Sequence, residues 1–213
     1  MVPVKKKNGQ VRITVHVDYK HLNQNVKRQV LMLPNLDDVG PKLAGAVMFS
    51  ALDAAGGYYQ IPLDEKSRAL TTFITPFGRY CFLRIPMGIA FAPEVFQQRM
   101  HKLLKDQEGC VVVMDDILVF GRDTKEHDER LQSVMETIKS NGLKLNKEKC
   151  QIRKSEVNFF GHVIEKDGVK PNPERVKAIA SLPPPNNITK LRRYMGIVTA
   201  RLEGVIAGNK LGQ

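Results

Sequence analysis

The chain has 213 residues, 42% of them hydrophobic and 26% charged, the proportions of an ordinary globular protein with length for one large or two small domains. A formal net charge of +11 favours a polyanionic partner through counterion release over a generally solvated basic surface. No run approaches the roughly 20 apolar residues of a membrane span, the opening Met1-Val2-Pro3-Val4-Lys5-Lys6-Lys7 has no signal-peptide core, and the three scattered cysteines, Cys81, Cys110 and Cys150, suit neither a disulfide framework nor a zinc site.

Buried reduced thiols are the default for such cysteines, and with them an intracellular location, cytoplasmic or nuclear. In chain order, Asn8-Gly9 signals a hairpin whose arms carry Lys6 and Arg12. A loop begins at Leu22-Asn23. Leu33 to Val39 predicts a helix start capped by Asp37-Asp38, broken at Gly40-Pro41 and resuming to Leu43. The apolar strand Val47 to Leu52 ends on Asp53 and runs into Gly56-Gly57. Pro62 to Arg68 reads as a polar loop or short helical turn, Leu70 to Thr75 as a strand, and Arg79 to Ile85 as the returning strand. Ala92-Pro93-Glu94 opens a helix with an apolar face.

Val111 to Met114 and Ile117 to Phe120 read as two buried strands joined by a tight turn, with Asp115-Asp116 at its tip. Adjacent carboxylates repel unless a cation lies between them. The two readings are a solvated acidic turn and a divalent-metal site, since hard oxygen ligands suit Mg²⁺. Asp53, at the end of a second strand, favours the metal. Further on, Asp123-Thr124 caps a helix whose buried face is Leu131, Val134, Met135 and Ile138, with His127 on its exposed side and Gly142 at its end. Leu143 to Cys150 alternates like a basic edge strand. Val157 to Ile164 predicts a strand, followed by a hairpin turn at Glu165 to Gly168. Pro173 to Leu182 is a short helix, Pro183-Pro184-Pro185 a stiff linker, and Ile188 to Val198 a Thr189-capped helix.

The LDxxxGYxQI stretch from Leu52, the IPMGIAFAPEVFQ stretch from Ile85 and the Met114-Asp115-Asp116 hairpin come in a telling order and spacing. Together they resemble the reverse transcriptase of a gypsy-type LTR retrotransposon, from about Val2 to Val198. The resemblance implies an α+β fold: a right-hand polymerase palm, with a small antiparallel sheet and helices on one face, plus partial fingers and little thumb. Residues 1–170 are expected to form fingers and palm, 171–198 the start of the thumb, and 199–213 a divergent tail. RNase H and integrase domains of a full-length parent are expected to be absent.

Implied with it is RNA-directed DNA synthesis from dNTPs on an RNA or DNA template with a primer. Asp53, Asp115 and Asp116 become ligands of two Mg²⁺ ions, with Mn²⁺ as substitute. Lys149 becomes the proton donor to pyrophosphate; a basic edge is its plainer reading. Lys6 and Arg12 are expected at the dNTP triphosphate. Five residues separate Arg12 from Asp18 where the family usually has three, which moves Arg12 by about 6–7 Å along a strand. Tyr58 becomes the gate against a 2′-hydroxyl, with burial in the core as its alternative. Gly88 and Gln97 keep the second nucleotide-binding motif, and Met87 stands where the family usually has phenylalanine; all three are expected at the substrate. Phe160 and Gly161 follow the primer grip, with packing the competing reading for both Phe159 and Phe160. The rival reading of the whole chain is a catalytically dead remnant that binds nucleic acid or protein.

Overall fold

The computed structural model describes residues 2–5, 11–14, 17–27, 39–182, 184–192 and 194–196. Two compact units divide the chain, one built from Met1–Leu31 with Ala55–Arg99 and the other from Met32–Ala54 with Met100–Gln213. Among the described residues no helix is long and apolar enough to cross a membrane.

In the first unit β1 (Val2–Lys5) and β2 (Val11–Thr14) pair antiparallel, with Val4 opposite Arg12. The Asn8-Gly9 signal falls between them. Lys20–Asn25 is a short helix, α1, where the sequence suggested that a loop begins. Asp18 Oδ1 accepts from Lys20 N at 2.9 Å, and that side-chain bond starts the turn locally. Glu65–Leu70 is helical (α2), started by Asp64, which accepts from Ser67 N. Leu70 therefore ends a helix and does not begin a strand. β4 (Phe73–Thr75) and β5 (Gly78–Tyr80) make a hairpin, shorter than expected on both arms. Ala92–Leu104 forms α3, and the division between the units falls inside it.

The second unit is organised by an antiparallel sheet ordered β6-β7-β3-β8: β6 (Cys110–Val113), β7 (Asp116–Gly121), β3 (Met48–Asp53) and β8 (Gln151–Lys154). Side chains alternate across it. One face carries Phe49, Ala51, Val111, Val113, Leu118 and Phe120, which join Val157, Phe159 and Ile164 in one core. The last three come from a second sheet, β9 (Glu156–Phe159), β10 (His162–Glu165) and β11 (Gly168–Pro171). The opposite face meets α4 (Thr124–Ser140). Asp123 caps α4 by accepting from Glu126 N at 2.8 Å. α5 (Pro173–Ala180) follows, with Asn172 as its cap.

Several expectations change. Met135 is 42% exposed, since α4 buries Val134 and Ile138 along a narrower stripe. His127, expected in solvent, is fully buried. Leu143 to Cys150 is no strand: it makes a single bridge, Leu145 to Ala54, and then turns. The run from Val157 to Ile164 folds back at Phe160-Gly161, so it is two strands. Gly40–Leu43 is a 3-10 turn with Pro41 in its first positions, while Asp37 and Asp38 lie outside the described residues. Near the end, Asn187 rather than Thr189 caps the helix at 188–192, accepting from Lys190 N. Cys81 is exposed, so the expected burial fails there, and all three thiols are free. The tail from Thr199 lies outside the described residues.

Gly121 ends β7 directly under α4. A Cβ there would stand 2.5 Å from His127 N and 2.7 Å from its Cα. Overpacking against backbone costs about 1–3 kcal/mol. Gly121→Ala is therefore expected to lower Tm by at least about 2–4 °C, whereas Gly196→Ala, with nothing within 4 Å, should lose nothing. Equal melting of Gly121→Ala and parent would contradict this packing.

Candidate active site

β3 and β7 pair in the register that sets Asp53 opposite Asp116. Ala54 N donates to Asp115 O at 2.8 Å, which makes 54 and 115 a hydrogen-bonded pair. Asp53 and Asp116 thus occupy the adjacent non-bonded position, where Cα atoms lie about 4.5 Å apart and side chains are closest. Like charges so placed destabilise a ladder.

Asp115 stands one residue earlier, in the loop. The loop consists of Met114 and Asp115, so the acids are not both at the tip as the sequence suggested: Asp116 is already the first residue of β7. Met114 has φ 55°, the left-handed value that a type II′ turn requires at its first position and that glycine meets most easily. A side chain there costs roughly 1–2 kcal/mol. Asp115 Oδ1 is buried without a hydrogen-bond partner. Burial, then the charges of Asp116 and Asp53, push the Asp115 carboxyl up, with Lys149 opposing.

Lys149 arrives from the other side of β3. Asn146 N donates to Asp53 O at 2.8 Å, and Asn146 O accepts from Lys149 N and Cys150 N. This turn carries the Lys149 ammonium to 2.9 Å from Asp53 Oδ2. The hydrogen bond to Asp53, with the charges of all three aspartates, holds the ammonium pKa above its ordinary value. Among the described residues no three His, Cys, Asp or Glu side chains converge closely enough to hold a metal ion. The donor set nonetheless suits a hard divalent cation: three carboxylates at the end of a rigid ladder, one with a buried oxygen lacking a partner. Lys149 now supplies the countercharge on Asp53.

The turn between β9 and β10 is Phe160-Gly161, with φ 44° and 78°. Phe160 is 42% exposed while Phe159 beside it is buried. An exposed aromatic held in a left-handed turn is not a core-packing residue, which separates Phe160 from its neighbour.

The first unit holds the remaining candidates. Tyr58 sits in the 3-10 turn Gly57–Gln60, its ring edge-on to Phe96 at 5.9 Å. Gln97 is buried, and Met87 is exposed. Gly88 has φ 98°, and a Cβ there would meet the Tyr19 ring at 3.4 Å. Asn23 clamps this loop: its Nδ2 donates to Gly88 O at 2.9 Å and its Oδ1 accepts from Ala90 N at 2.8 Å. Sequence reasoning passed over Asn23, because an asparagine in a polar stretch carries no sign of a partner 65 residues away. Arg12 is placed by its backbone register opposite Val4, and Lys6 lies outside the described residues.

A second oversight is a closed ring of hydrogen bonds behind β3. Arg153 N donates to Ser50 Oγ at 3.0 Å. Ser50 Oγ lies 2.9 Å from His127 Nε2, and His127 Nδ1 lies 3.1 Å from Asp128 Oδ1. The Arg153 guanidinium closes the circuit onto both Asp128 oxygens, at 2.7 and 2.5 Å. Because Asp128 can only accept, His127 carries its proton on Nδ1, and the Ser50 hydroxyl donates to Nε2. Ser50, His127 and Asp128 have the connectivity of a hydrolase triad. Ser50 and His127 are both 0% exposed, so no substrate reaches them and the ring is structural. It fastens β3, α4 and β8 together where β8 carries an extra residue between Gln151 and Lys154.

Residues 4–164 match the family model described as reverse transcriptase (RNA-dependent DNA polymerase), and the chain belongs to that family. It is 37% identical over 192 residues to the retrovirus-related Pol polyprotein from transposon 297 of Drosophila melanogaster, a match covering 89% of this chain and 18% of that protein. It is 31% identical over 185 residues to the corresponding polyprotein from the Drosophila melanogaster transposon gypsy, covering 86% and 18%. The chain thus spans about a fifth of the length of these relatives. The foamy viral protease-reverse transcriptase in complex with double-stranded DNA superposes with a TM-score of 0.82 at 24% identity, over 93% of this chain and 35% of that one. The fold is the expected α+β polymerase palm with part of the fingers.

Asp115 gives a signed prediction. Its carboxyl titrates higher in the folded chain than in the unfolded one, so the folded state binds the extra proton. Stability from that proton is present at low pH and lost as pH rises through the folded value. At pH 7 the ionised group is a net cost. Asp115→Asn is expected to raise Tm at pH 7, and the gap to the parent should close toward pH 4. A variant that melts below the parent at pH 7 would show that the charge is compensated.

Proposed function

We propose that this chain is the core of an RNA-directed DNA polymerase, adding dNTPs to a primer 3′-hydroxyl on an RNA or DNA template. The observation that carries the reading is Asp53 directly opposite Asp116, with the unpartnered buried oxygen of Asp115 beside them. Asp53 and Asp115, supported by Asp116, would hold two Mg²⁺ ions, which would supply Lewis-acid activation of the 3′-hydroxyl and charge neutralisation at the pyrophosphate. Repulsion among three carboxylates and one buried orphan oxygen makes these side chains a strong cation trap. Lys149 keeps its proton through its bond to Asp53, and in this reading it yields Asp53 to the cation and gives that proton to the departing pyrophosphate. Phe160-Gly161 would seat the primer end, and the glycine lets a backbone approach closely.

Residues 171–198 are read as the start of a thumb. Tyr58 is proposed as the discriminator against ribonucleotides, on the strength of its place five residues after Asp53 and the family motif. Lys6, Arg12, Met87, Gly88 and Gln97 are proposed to contact dNTP, on the same motif basis. The relatives are longer chains matched along part of their length, so the activity of this chain alone is the point to test.

Primer extension on an RNA template with Mg²⁺ and dNTPs, parent beside Asp115→Asn, is the decisive assay. The parent should extend the primer, and Asp115→Asn should fall by about 10²-fold or more, as loss of several kcal/mol of charge stabilisation implies. Equal rates would refute the assignment of Asp115. No extension by a parent that melts cooperatively would favour the non-catalytic remnant.

In a parent that extends primers, Tyr58→Val should raise ribonucleotide incorporation relative to dNTP by about tenfold or more, since removing a ring relieves a steric exclusion rather than a hydrogen bond. Unchanged sugar discrimination would leave Tyr58 as a packing residue against Phe96.

A further inference from the structure

The second unit holds a cleft of about 450 Å³ at the ends of β6 and β7 away from the carboxylates, lined by Lys42, Lys105, Glu108, Gly109, Arg122 and Arg130 among others. β7 runs six residues from Asp116 to Gly121, which puts Arg122 about 20 Å from Asp116 at the usual strand rise. The cleft is thus distinct from the catalytic hairpin.

Its wall is built around Arg130. The guanidinium donates to Phe120 O at 3.0 Å and pairs with Glu126 at 2.9 Å. The other Glu126 oxygen accepts from Arg122 N at 2.6 Å, so Glu126 is fully engaged. Gly109 makes room for this arrangement: it has φ +60°, and a Cβ there would lie 2.4 Å from Arg130 Cδ. Lys42, Lys105 and Arg122 are exposed, and among the described residues none of them pairs with an acid. Among the described residues, three cations without an acidic partner therefore share one cleft with one unpaired acid, Glu108.

We propose that this cleft binds phosphate groups. Like charges held around one concavity raise the local potential for an anion. Arg122 offers a planar fork and the lysines mobile point charges, the mixture that suits phosphate oxygens. The volume lies within the range of small-ligand sites. It matches a short polyphosphate or a stretch of nucleic-acid backbone, two sources of the same chemistry. The proposal stands apart from the polymerase reading, because none of its residues touches the aspartates.

The test is lysine acetylation of the full chain read by mass spectrometry, with inorganic tripolyphosphate in one arm and a twelve-nucleotide oligothymidylate in the other. Lys42 and Lys105 should be protected while Lys139, exposed on α4, is not. Protection by both probes supports a site for free polyphosphate. Protection by the oligonucleotide alone supports a strand-backbone site. Lys42→Glu with Lys105→Glu should weaken binding of the protecting probe by about tenfold or more, and Glu108→Gln should strengthen it, both effects shrinking as salt is raised. Asp115→Asn should show the parent's protection, so loss of the catalytic assignment and loss of the cleft are separately visible. Absence of protection in both arms, or equal protection of Lys139, would overturn the proposal.

Discussion

Three carboxylates set at the end of one β-ladder, with the Lys149 ammonium on Asp53, are the constraint to which the second unit answers. Asp53 and Asp116 face each other in the close, non-bonded position, and Asp115 hangs from the adjoining loop. Left alone, such a group would push the strands apart. What prevents it is the apolar remainder of the same ladder. Phe49 and Ala51 on β3, with Leu118 and Phe120 on β7, share a face with the two acids and bury themselves against Val157, Phe159 and Ile164. Because side chains alternate with a period of two, a one-residue slip would turn all of these outward together. The core therefore fixes the register, and the register fixes the distance between charges.

Lys149 completes the electrostatics from outside the sheet, and its placement depends on the ring behind β3. Ser50 points to the opposite face from Phe49, Ala51 and Asp53. There it meets His127 of α4 and the backbone of Arg153 in β8. The Arg153 guanidinium, bonded to both Asp128 oxygens, holds that carboxyl below the usual carboxylate range. Each member satisfies the next, which is what the buried Ser50 and His127 require if they are to stabilise rather than cost. The consequence lies four residues upstream of Arg153. With β8 pinned against β3 at its extra residue, the turn at Asn146 to Cys150 has one place to go, and Lys149 reaches Asp53.

The acids and the order of motifs were legible in the sequence because they are carried by residue type: aspartates at the ends of apolar runs, glycines at breaks, a proline opening a helix. Alternation and helical spacing likewise found β3, β6, β7, α3 and α4. The ring was not legible. His127 sits among Lys125, Glu126, Asp128 and Glu129, so its neighbours in sequence argue for solvent, while its burial follows from Gly121, a residue on another element with no side chain to keep the helix away. The same limit hid Asn23, whose partners lie across a long sequence gap. It also misplaced the hairpin tip: two adjacent acids look like a turn, but the cross-strand partner of Asp116 belongs to β3, and local sequence does not name it. Leu143 to Cys150 alternates like a strand, yet the chain uses it to leave the sheet edge after one bridge and deliver a lysine.

The non-glycine residues held at left-handed φ among those described are Met114, Arg153 and Phe160. None sits in an arbitrary loop. Met114 immediately precedes Asp115, Arg153 closes the ring that leads to Lys149, and Phe160 forms the exposed turn between β9 and β10. Each conformation costs about 1–2 kcal/mol, and each is held by neighbours that leave no alternative: two paired strands on either side of Met114, three hydrogen bonds from Arg153 to Ser50 and Asp128, and buried Phe159 and His162 flanking Phe160-Gly161. Strain of this kind persists only where the surroundings over-determine it. Glycine at any of these positions would ease the backbone, but it would remove the guanidinium at Arg153, the exposed ring at Phe160 and the side chain that stiffens the loop before Asp115. The side chains are kept at a conformational cost, and the packed sheets around them carry it.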